Sequence, residues 1–247
     1  MTKVREAKKE FSDALLELGR SRSLYTVFED FLDYSLLMLR WWDRKPEYFK
    51  TLEEKYTSKR EWQLFSQAYF SMITVANNGG ELFNDPFADF YEEHLVKKRL
   101  GQFFTPQCVS DLMAQLLDLE PASPGTTMYE PACGSGSTIL AAARKNPQLT
   151  IFAADKDIIC CKMVVIIFML NRLTGEVAWM NSLSLEHWKS WHHINVVTEE
   201  GDILPHFTET GPGETRLLKK MMQPDDENNE NTQEDNPVPV PDLRSEE

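Results

Sequence analysis

Apolar residues recur at helical spacing through about the first 96 positions of the chain. One apolar stripe runs from Leu24 to Trp42, and a second contains Trp62, Phe65, Tyr69, Met72 and Ile73. The second stripe ends at Asn77-Asn78-Gly79-Gly80, whose residue types tolerate the left-handed conformation that closes helices. Because three-and-four spacing places side chains on one face of a helix, residues 1–96 are predicted to form a helical region that buries its aromatic stripes.

From about residue 97 the pattern changes to short apolar runs that alternate with helical segments. The predicted strands are Thr127–Tyr129, Thr150–Ala154 and Glu176–Met180, and the predicted helices are Val109–Leu119, Ser137–Lys145 and Ile158–Arg172. Alternation of this kind is typical of a parallel sheet with helices packed on its faces. Because Cys160–Leu170 is apolar nearly all round, the last of these helices is expected to be covered on both sides. The sequence therefore predicts an α/β fold preceded by an α-helical region.

The end of the predicted sheet is less regular. A fourth strand is predicted at His193–Thr198, and too few residues follow Gly201 for the further strands of a full sheet, so the sheet is expected to look truncated. His187, His192 and His193 have no carboxylate or thiol at metal-ligand spacing, and their segment is interpreted as a packed connection rather than a metal site.

The net charge of −13 is unevenly distributed along the 247 residues. Residues 224–247 carry nine acids against one arginine and contain Pro237, Pro239 and Pro241. This composition is typical of disorder, so the segment is predicted to be an acidic tail outside the fold. The predicted organisation is a helical region at 1–96, an α/β domain at 97–223 and a disordered tail at 224–247.

The cysteines and the hydropathy pattern exclude several classes of protein. The four cysteines have no C-x-x-C spacing, which indicates neither a disulfide framework nor a zinc site. The longest apolar run, Met163–Leu170, is far shorter than the roughly 20 residues of a membrane span, and the charged first residues are unlike a signal peptide. The sequence therefore predicts a cytoplasmic protein that neither binds a membrane nor contains a metal site.

The stretch Y-E-P-A-C-G-S-G-S at residues 129–137 lies where the first predicted strand passes into a helix. Open parallel sheets bind ligands at this end of their strands. Gly134 and Gly136 allow backbone amides to approach a ligand closely or to adopt positive φ. Asp155 ends the second strand, from which a carboxylate can accept both ribose hydroxyls, and Asp157 is a competing acid that fits a helix N-cap better. A nucleotide-like ligand is predicted.

The acid at the start of this turn constrains the charge of the ligand. Glu130 would repel a phosphate, and the third glycine of the dinucleotide fingerprint is missing, so NAD is disfavoured. S-adenosylmethionine carries an ammonium and a sulfonium group and fits the acid at this position.

Four motifs occur in order along the chain: GQFFTP at 101–106, EPACGSG at 130–136, ADKD at 154–157 and NSL at 181–183. Over residues of about 85 to 190, their order and spacing resemble the adenine-specific N6 DNA methyltransferases, particularly the modification subunits of type I restriction systems. The resemblance implies a Rossmann-like S-adenosylmethionine-dependent methyltransferase sheet and methyl transfer to an adenine amino group of DNA. It also implies a separate specificity or partner subunit.

The same resemblance implies eight cofactor-binding residues, with Thr105 near the methionine carboxylate. By position these are Phe103, Thr105 and Pro106 in the pocket wall, Glu130 at the methionine ammonium, Gly134 and Gly136 along the backbone side, Asp155 at the ribose and Asn181 at the adenine amino group.

The base-holding motif of that family, an Asn or Asp followed by two prolines and an aromatic residue after the fourth strand, is not recognisable here. Asn84-Asp85-Pro86-Phe87 is similar in composition, but it precedes the glycine turn and is interpreted as an N-cap with a first-turn proline. No residue therefore receives a predicted catalytic role. A catalytically inactive S-adenosylmethionine-binding or partner-binding subunit remains the alternative.

Overall fold

The computed structural model describes residues 2–40, 43, 46–95, 104–117, 126–198 and 200–217. The predicted acidic tail at 224–247, the predicted domain boundary at residue 97 and the predicted pocket residue Phe103 lie outside these ranges.

The described residues between 2 and 95 contain five α-helices. They are α1 (Thr2–Leu18), α2 (Leu24–Leu39), α3 (Lys50–Lys55), α4 (Lys59–Asn77) and α5 (Ala88–His94), and short 3-10 segments occur at Pro46–Phe49 and Asn78–Gly80. Helix α4 begins with a capping box in which Ser58 and Glu61 satisfy each other's backbone amides. It ends at Asn78, whose φ of 46° is the left-handed stop that the sequence predicted. Members of both predicted stripes, such as Phe31 and Phe65, are fully buried.

Three further helices and five strands lie in the part of residues 104–217 that the structure describes. The helices are α6 (Gln107–Leu116), α7 (Ser137–Lys145) and α8 (Ile158–Asn171), and the strands are β1 (Thr127–Glu130), β2 (Thr150–Asp155), β3 (Thr174–Asn181), β4 (Glu186–Val197) and β5 (Ile203–Thr210). The strands lie in the order β1-β2-β3-β4-β5, with β1, β2 and β3 parallel and β4 and β5 antiparallel to their neighbours. The fold is α/β and Rossmann-like, as the sequence predicted.

The prediction of an all-parallel sheet was wrong in its second half. Strand β4 begins at Glu186 rather than at His193 and turns back antiparallel along β3, and β5 was not predicted. Only four residues join β3 to β4, and a parallel crossover needs a dozen or more. His187, His192 and His193 consequently lie within a paired strand, and the interpretation of their segment as a connection was wrong.

One hydrophobic core joins the N-terminal helices to the sheet. It contains Phe11 and Phe28 from the helical region together with Ile139 of α7 and Ile166 of α8. Helix α8 is buried almost all round, as predicted, and its Lys162 reaches Asp33 of α2 across 2.7 Å. The opposite sheet face has a smaller core in which Phe152, Ala154, Ala178 and Met180 pack with Leu217.

Candidate functional site

The glycine turn after β1 is held against the end of β2 by backbone hydrogen bonds. The amide of Cys133 donates to the carbonyl of Ala154 at 2.9 Å, and the amide of Gly134 donates to Oδ2 of Asp155 at 3.0 Å. The other oxygen of this carboxylate accepts from the amide of Asp157 at 2.8 Å. The exits of two neighbouring parallel strands are thereby fixed to each other.

Both glycines of the turn are required by the protein's own packing. Gly134 has φ +52°, and a Cβ there would lie 3.1 Å from the ring of Phe104. Gly136 has φ +94°, and a Cβ there would lie 3.0 Å from Cδ1 of Ile167 in α8. Because side chains rarely adopt such φ values and both sites are crowded, the turn accepts little besides glycine.

The carboxylate of Glu130 lies at the end of β1 and faces the same turn. Oε1 accepts from the amide of Ala132 at 3.2 Å, and Oε2 accepts from the hydroxyl of Thr138 at 2.8 Å. Glu130, Thr105 and Gly134 line one cavity of about 300 Å³. A carboxylate held in this way presents further acceptor positions to a cationic group.

The segment Phe104-Thr105 is held on the glycine turn through α7 and α5. The hydroxyl of Ser137 donates to the carbonyl of Thr105 at 3.0 Å and accepts from the hydroxyl of Ser110 at 3.2 Å. The ring of Phe104 stacks on that of Tyr91, with centroids 5.0 Å apart. These contacts explain how a motif about 25 residues before the turn comes to line the same cavity.

The two aspartates after β2 have different environments. Asp157 accepts from the amide of Ile159 at 2.9 Å and caps α8, which is the role that the sequence favoured for it. Asp155 is held by backbone amides instead, and burial raises the pKa of its carboxyl. It does not line the 300 Å³ cavity but bonds directly to Gly134, which does.

Asn181 closes the turn between β3 and β4. Its Oδ1 accepts from the amides of Leu183 and Ser184 at 3.0 and 3.3 Å. The next residue, Ser182, donates to the carbonyl of Pro131 at 2.6 Å, which ties this turn to the exit of β1. Asn181 therefore lies at the same edge of the sheet as Glu130 and Asp155. Neither it nor Pro106 nor Gly136 lines the 300 Å³ cavity.

Asp85 is a residue near this site to which the sequence gave only a capping role. Its Oδ1 accepts from the amides of Phe87 and Ala88, as expected of a cap, and its Oδ2 accepts from the hydroxyl of Ser135 at 2.8 Å. Burial raises the pKa of this carboxyl. Since 50 residues separate Asp85 from Ser135, no local pattern could have indicated that the cap also supports the glycine turn.

A larger cavity of about 750 Å³ lies elsewhere, between α1 and α4, and includes Lys3, Arg5 and Lys8. Its contact with α8 is Leu170, near the end of that helix, whereas the glycine turn packs against Val164 and Ile167. Sheet topology favours the smaller cavity as the ligand site, because it lies at the carboxyl ends of parallel strands. Within the described ranges no group of side chains could hold a metal ion, and no helix is long and apolar enough to cross a membrane.

Comparisons with known proteins identify a family. The family model described as N-6 DNA Methylase matches residues 83–230. The chain is 26% identical over 106 residues to the type I restriction enzyme MjaIX methylase subunit of Methanocaldococcus jannaschii, a match that covers 38% of this chain and 18% of the relative. It is 25% identical over 131 residues to the MpnII methylase subunit of Mycoplasma pneumoniae, covering 47% and 24%. The chain thus spans about a quarter or less of these relatives.

Two solved structures have similar folds at 14% identity. One is a candidate class I S-adenosylmethionine-dependent methyltransferase from Listeria monocytogenes, with a TM-score of 0.47 over 71% of this chain and 52% of that one. The other is a type I restriction-modification methyltransferase subunit from Streptococcus thermophilus, with a TM-score of 0.34 over 69% and 56%.

Proposed function

Because the chain belongs to the N-6 DNA methylase family, we propose that it takes part in S-adenosylmethionine-dependent methylation of the N6 amino group of adenine in DNA. One observation carries the proposal: Glu130 and Asp155 are the last residues of adjacent parallel strands, and the glycine turn that follows Glu130 is bonded to Asp155 through the amide of Gly134. A ligand with a cationic amino-acid end and a ribose has complementary groups for both acids.

The side chains at this edge fit S-adenosylmethionine, whose sulfonium group supplies the methyl that is transferred. Glu130 would bind the methionine ammonium, and Thr105 lies in the same cavity, where it would contact the methionine carboxylate. Asp155 would accept the ribose hydroxyls, because a carboxylate has about four acceptor positions and backbone amides use only part of them. The pocket wall would be completed by Phe103, Pro106, Gly134 and Gly136. Asn181 would face the amino group of the cofactor's adenine.

The sequence has no recognisable motif for holding the target amine. In the family, a side-chain oxygen and a backbone carbonyl accept the protons of the amino group while an aromatic residue stacks on the flipped base. Each such buried hydrogen bond contributes roughly 1.5–3 kcal/mol when it is charge-assisted. Because the relatives that the chain matches are methylase subunits of type I restriction enzymes, we propose that this chain holds the cofactor and that a partner or specificity subunit holds the DNA.

Calorimetric titration with S-adenosylmethionine tests the cofactor site. The wild-type chain should bind, and Glu130→Gln should weaken binding about 10- to 100-fold, because one charge-assisted hydrogen bond of roughly 1.5–3 kcal/mol is lost. Glu53→Gln, an exposed acid on α3, is the matched control and should bind like the wild type. If the wild type fails to bind or both variants bind equally, the assignment of Glu130 is refuted.

Transfer of a radiolabelled methyl group to adenine-containing DNA distinguishes the two functional candidates. Labelled N6-methyladenine formed by the chain with its native partners supports the methylase function. Cofactor binding without transfer in any such complex would instead identify the non-catalytic alternative.

A further inference from the structure

The cavity of about 750 Å³ between α1 and α4 is separate from the candidate cofactor site. Among the described residues it shares none of its lining with the 300 Å³ cavity at the glycine turn. Cavities of about 300 to 1,000 Å³ that combine an apolar lining with a few polar groups are typical of small-molecule sites. This cavity has both kinds of lining, and the proposed function makes no use of it.

One wall of the cavity is cationic, because Lys3, Arg5 and Lys8 of α1 line it. Lys8 is paired with the exposed carboxylate of Asp89 at 2.7 Å. Neither Lys3 nor Arg5 has a partner among the residues that the structure describes. Lysine and arginine are the side chains that recognise phosphate oxygens most strongly. Two unpaired cations at a cavity therefore fit a phosphate group, although the chain as a whole carries a net charge of −13.

The rest of the lining fits a flat heterocycle. Ile73 of α4, Leu82 and Leu170 of α8 contribute aliphatic side chains, and Asn78 and Asn84 contribute carboxamides. Aliphatic side chains can pack on the faces of a nucleobase, while carboxamides can form hydrogen bonds with its polar edge.

The two carboxamides have defined orientations. Nδ2 of Asn78 donates to Oε2 of Glu81, the acid in the lining, and Nδ2 of Asn84 donates to the carbonyl of Val75, both at 3.0 Å. Because each nitrogen is used in this way, each Oδ1 remains an acceptor. Neither Oδ1 has a donor in the described part of the chain. A pair of acceptor oxygens complements an exocyclic amino group.

The loop after α4 holds its wall of the cavity in a strained conformation. Leu82 and Phe83 have φ values of 59° and 53°, which are uncommon for residues with side chains. The amide of Leu82 donates to the carbonyl of Asn77 at 3.1 Å. Phe83 donates to Oδ1 of Asn171 at 2.8 Å and accepts from Nη1 of Arg144 at 2.6 Å. Strain of this kind persists where the surroundings fix it, and it is concentrated at ligand sites.

We propose that this cavity is a second ligand site, which binds a nucleoside phosphate whose base carries an exocyclic amino group. The phosphate contacts Lys3 and Arg5, and the amino group faces Oδ1 of Asn78 and Asn84. A free nucleotide is favoured over the DNA backbone, because the carboxamides and aliphatic side chains have no counterpart on a row of phosphates. The site does not depend on the proposed methylase function.

Calorimetric titration of the full chain with ADP tests the cationic wall. The wild type should bind ADP, and Lys3→Gln/Arg5→Gln should bind it about tenfold or more weakly, because charge-assisted hydrogen bonds to the phosphates are lost. The matched control, Arg20→Gln/Lys59→Gln, removes the same charges at exposed positions outside the cavity and should bind like the wild type. Thermal unfolding should show that all three proteins are folded.

Two further probes test the contacts with the base. Pyrophosphate has no base and should bind about tenfold or more weakly than ADP. Inosine diphosphate has an oxygen where ADP has its amino group, so it should bind about 3- to 10-fold more weakly.

Photocross-linking with an azido analogue of ADP locates the bound nucleotide. Mass spectrometry should place the label on residues 2–9 or 73–84, and excess S-adenosylmethionine should not displace it. Displacement, or a label at the glycine turn, would place the nucleotide in the cofactor cavity and overturn the proposal.

The proposal would also be overturned if the wild type did not bind ADP or if Lys3→Gln/Arg5→Gln bound it equally well. Equal affinity for ADP and pyrophosphate would exclude a base in the cavity, and equal affinity for ADP and inosine diphosphate would refute the amino group. Binding of duplex DNA that required Lys3 and Arg5, without binding of ADP, would make the cavity part of a DNA surface instead.

Discussion

The backbone amide of Gly134 lies 3.0 Å from Oδ2 of Asp155 and donates a hydrogen bond to it. Gly134 lies in the turn after β1, and Asp155 is the last residue of β2. This bond therefore joins the two segments that the sequence predicts to bind the ligand. Asp155 thus has a structural role in positioning the turn, in addition to the ribose contact that we propose for it.

Replacement of Asp155 by alanine should affect both roles. The amide of Gly134 loses its acceptor, so its hydrogen exchange should accelerate at least tenfold, and affinity for S-adenosylmethionine should fall about 10- to 100-fold. Exchange is measured by NMR or mass spectrometry and affinity by calorimetry. Asp13→Ala, an exposed acid on α1, is the control. Unchanged exchange at Gly134 would show that the bond does not hold the turn in solution.

Replacement of Gly136 by alanine should destabilise the fold more than the same change at Gly79. Both glycines have positive φ, which costs about 1–2 kcal/mol for alanine. Only at Gly136 would the new Cβ also meet Ile167 and Val164, at 3.0 and 3.2 Å, whereas nothing lies within 4 Å at Gly79. We expect Gly136→Ala to cost roughly 1–3 kcal/mol more than Gly79→Ala in urea unfolding. Equal costs would mean that Ile167 and Val164 of α8 move aside without any loss of unfolding free energy.

The fully buried carboxylate of Glu176 holds residues 215–217 on the sheet. It accepts from the hydroxyls of Ser190 and Thr215 and from the amides of Arg216 and Leu217, the latter two at 2.9 and 3.1 Å. Glu176→Gln would direct an amide group towards these donors and should cost about 2–4 kcal/mol of unfolding free energy.

Trypsin cleavage after Arg216 reports on this anchor. Cleavage should become at least tenfold faster in Glu176→Gln, because the segment is released before the protein unfolds globally. Ser190→Ala removes one donor and leaves the backbone contacts, so its cleavage should change much less. Equal cleavage of Glu176→Gln and the wild type would contradict the anchoring role.

His193 should make the protein sensitive to acid. Its ring lies between Phe168 and Phe207, neither ring nitrogen has a partner in the part of the chain described, and burial lowers its pKa from 6.5 to about 3. Between these values the unfolded chain binds a proton that the folded chain does not. Stability is therefore lost as the pH falls below 6.5, by about 1.4 kcal/mol per pH unit from this group.

Urea unfolding of the wild type and His193→Leu at pH 7 and pH 5 measures this contribution. The difference in unfolding free energy should move by roughly 2 kcal/mol in favour of the leucine variant at pH 5. All other titrating groups are the same in both proteins, so their effect on the unfolding free energy cancels in the difference. An equal loss of unfolding free energy in both proteins between pH 7 and pH 5 would exclude His193 as the cause.

The residue types of short segments were sufficient to predict the helices and strands in the first half of the α/β region. Helix α7 was predicted with its observed bounds, and β1, β2 and β3 were each predicted to within two residues at either end. Period-two and period-3.6 patterns, the left-handed stop at Asn78 and the Asp157 cap each depend on a few adjacent residues, and a sequence displays these directly.

The sequence by itself determined the order of β1, the glycine turn, α7, β2, α8 and β3, because each of these elements is specified by its own residues. Only the tertiary structure decided that β4 folds back on β3, that β5 exists, that Asp85 supports Ser135, and that the edge of β1 and one face of α6 stay uncovered within the described chain. These features depend on pairing between distant segments and on which surfaces find a partner. Neither leaves a periodic signal in the residues that take part.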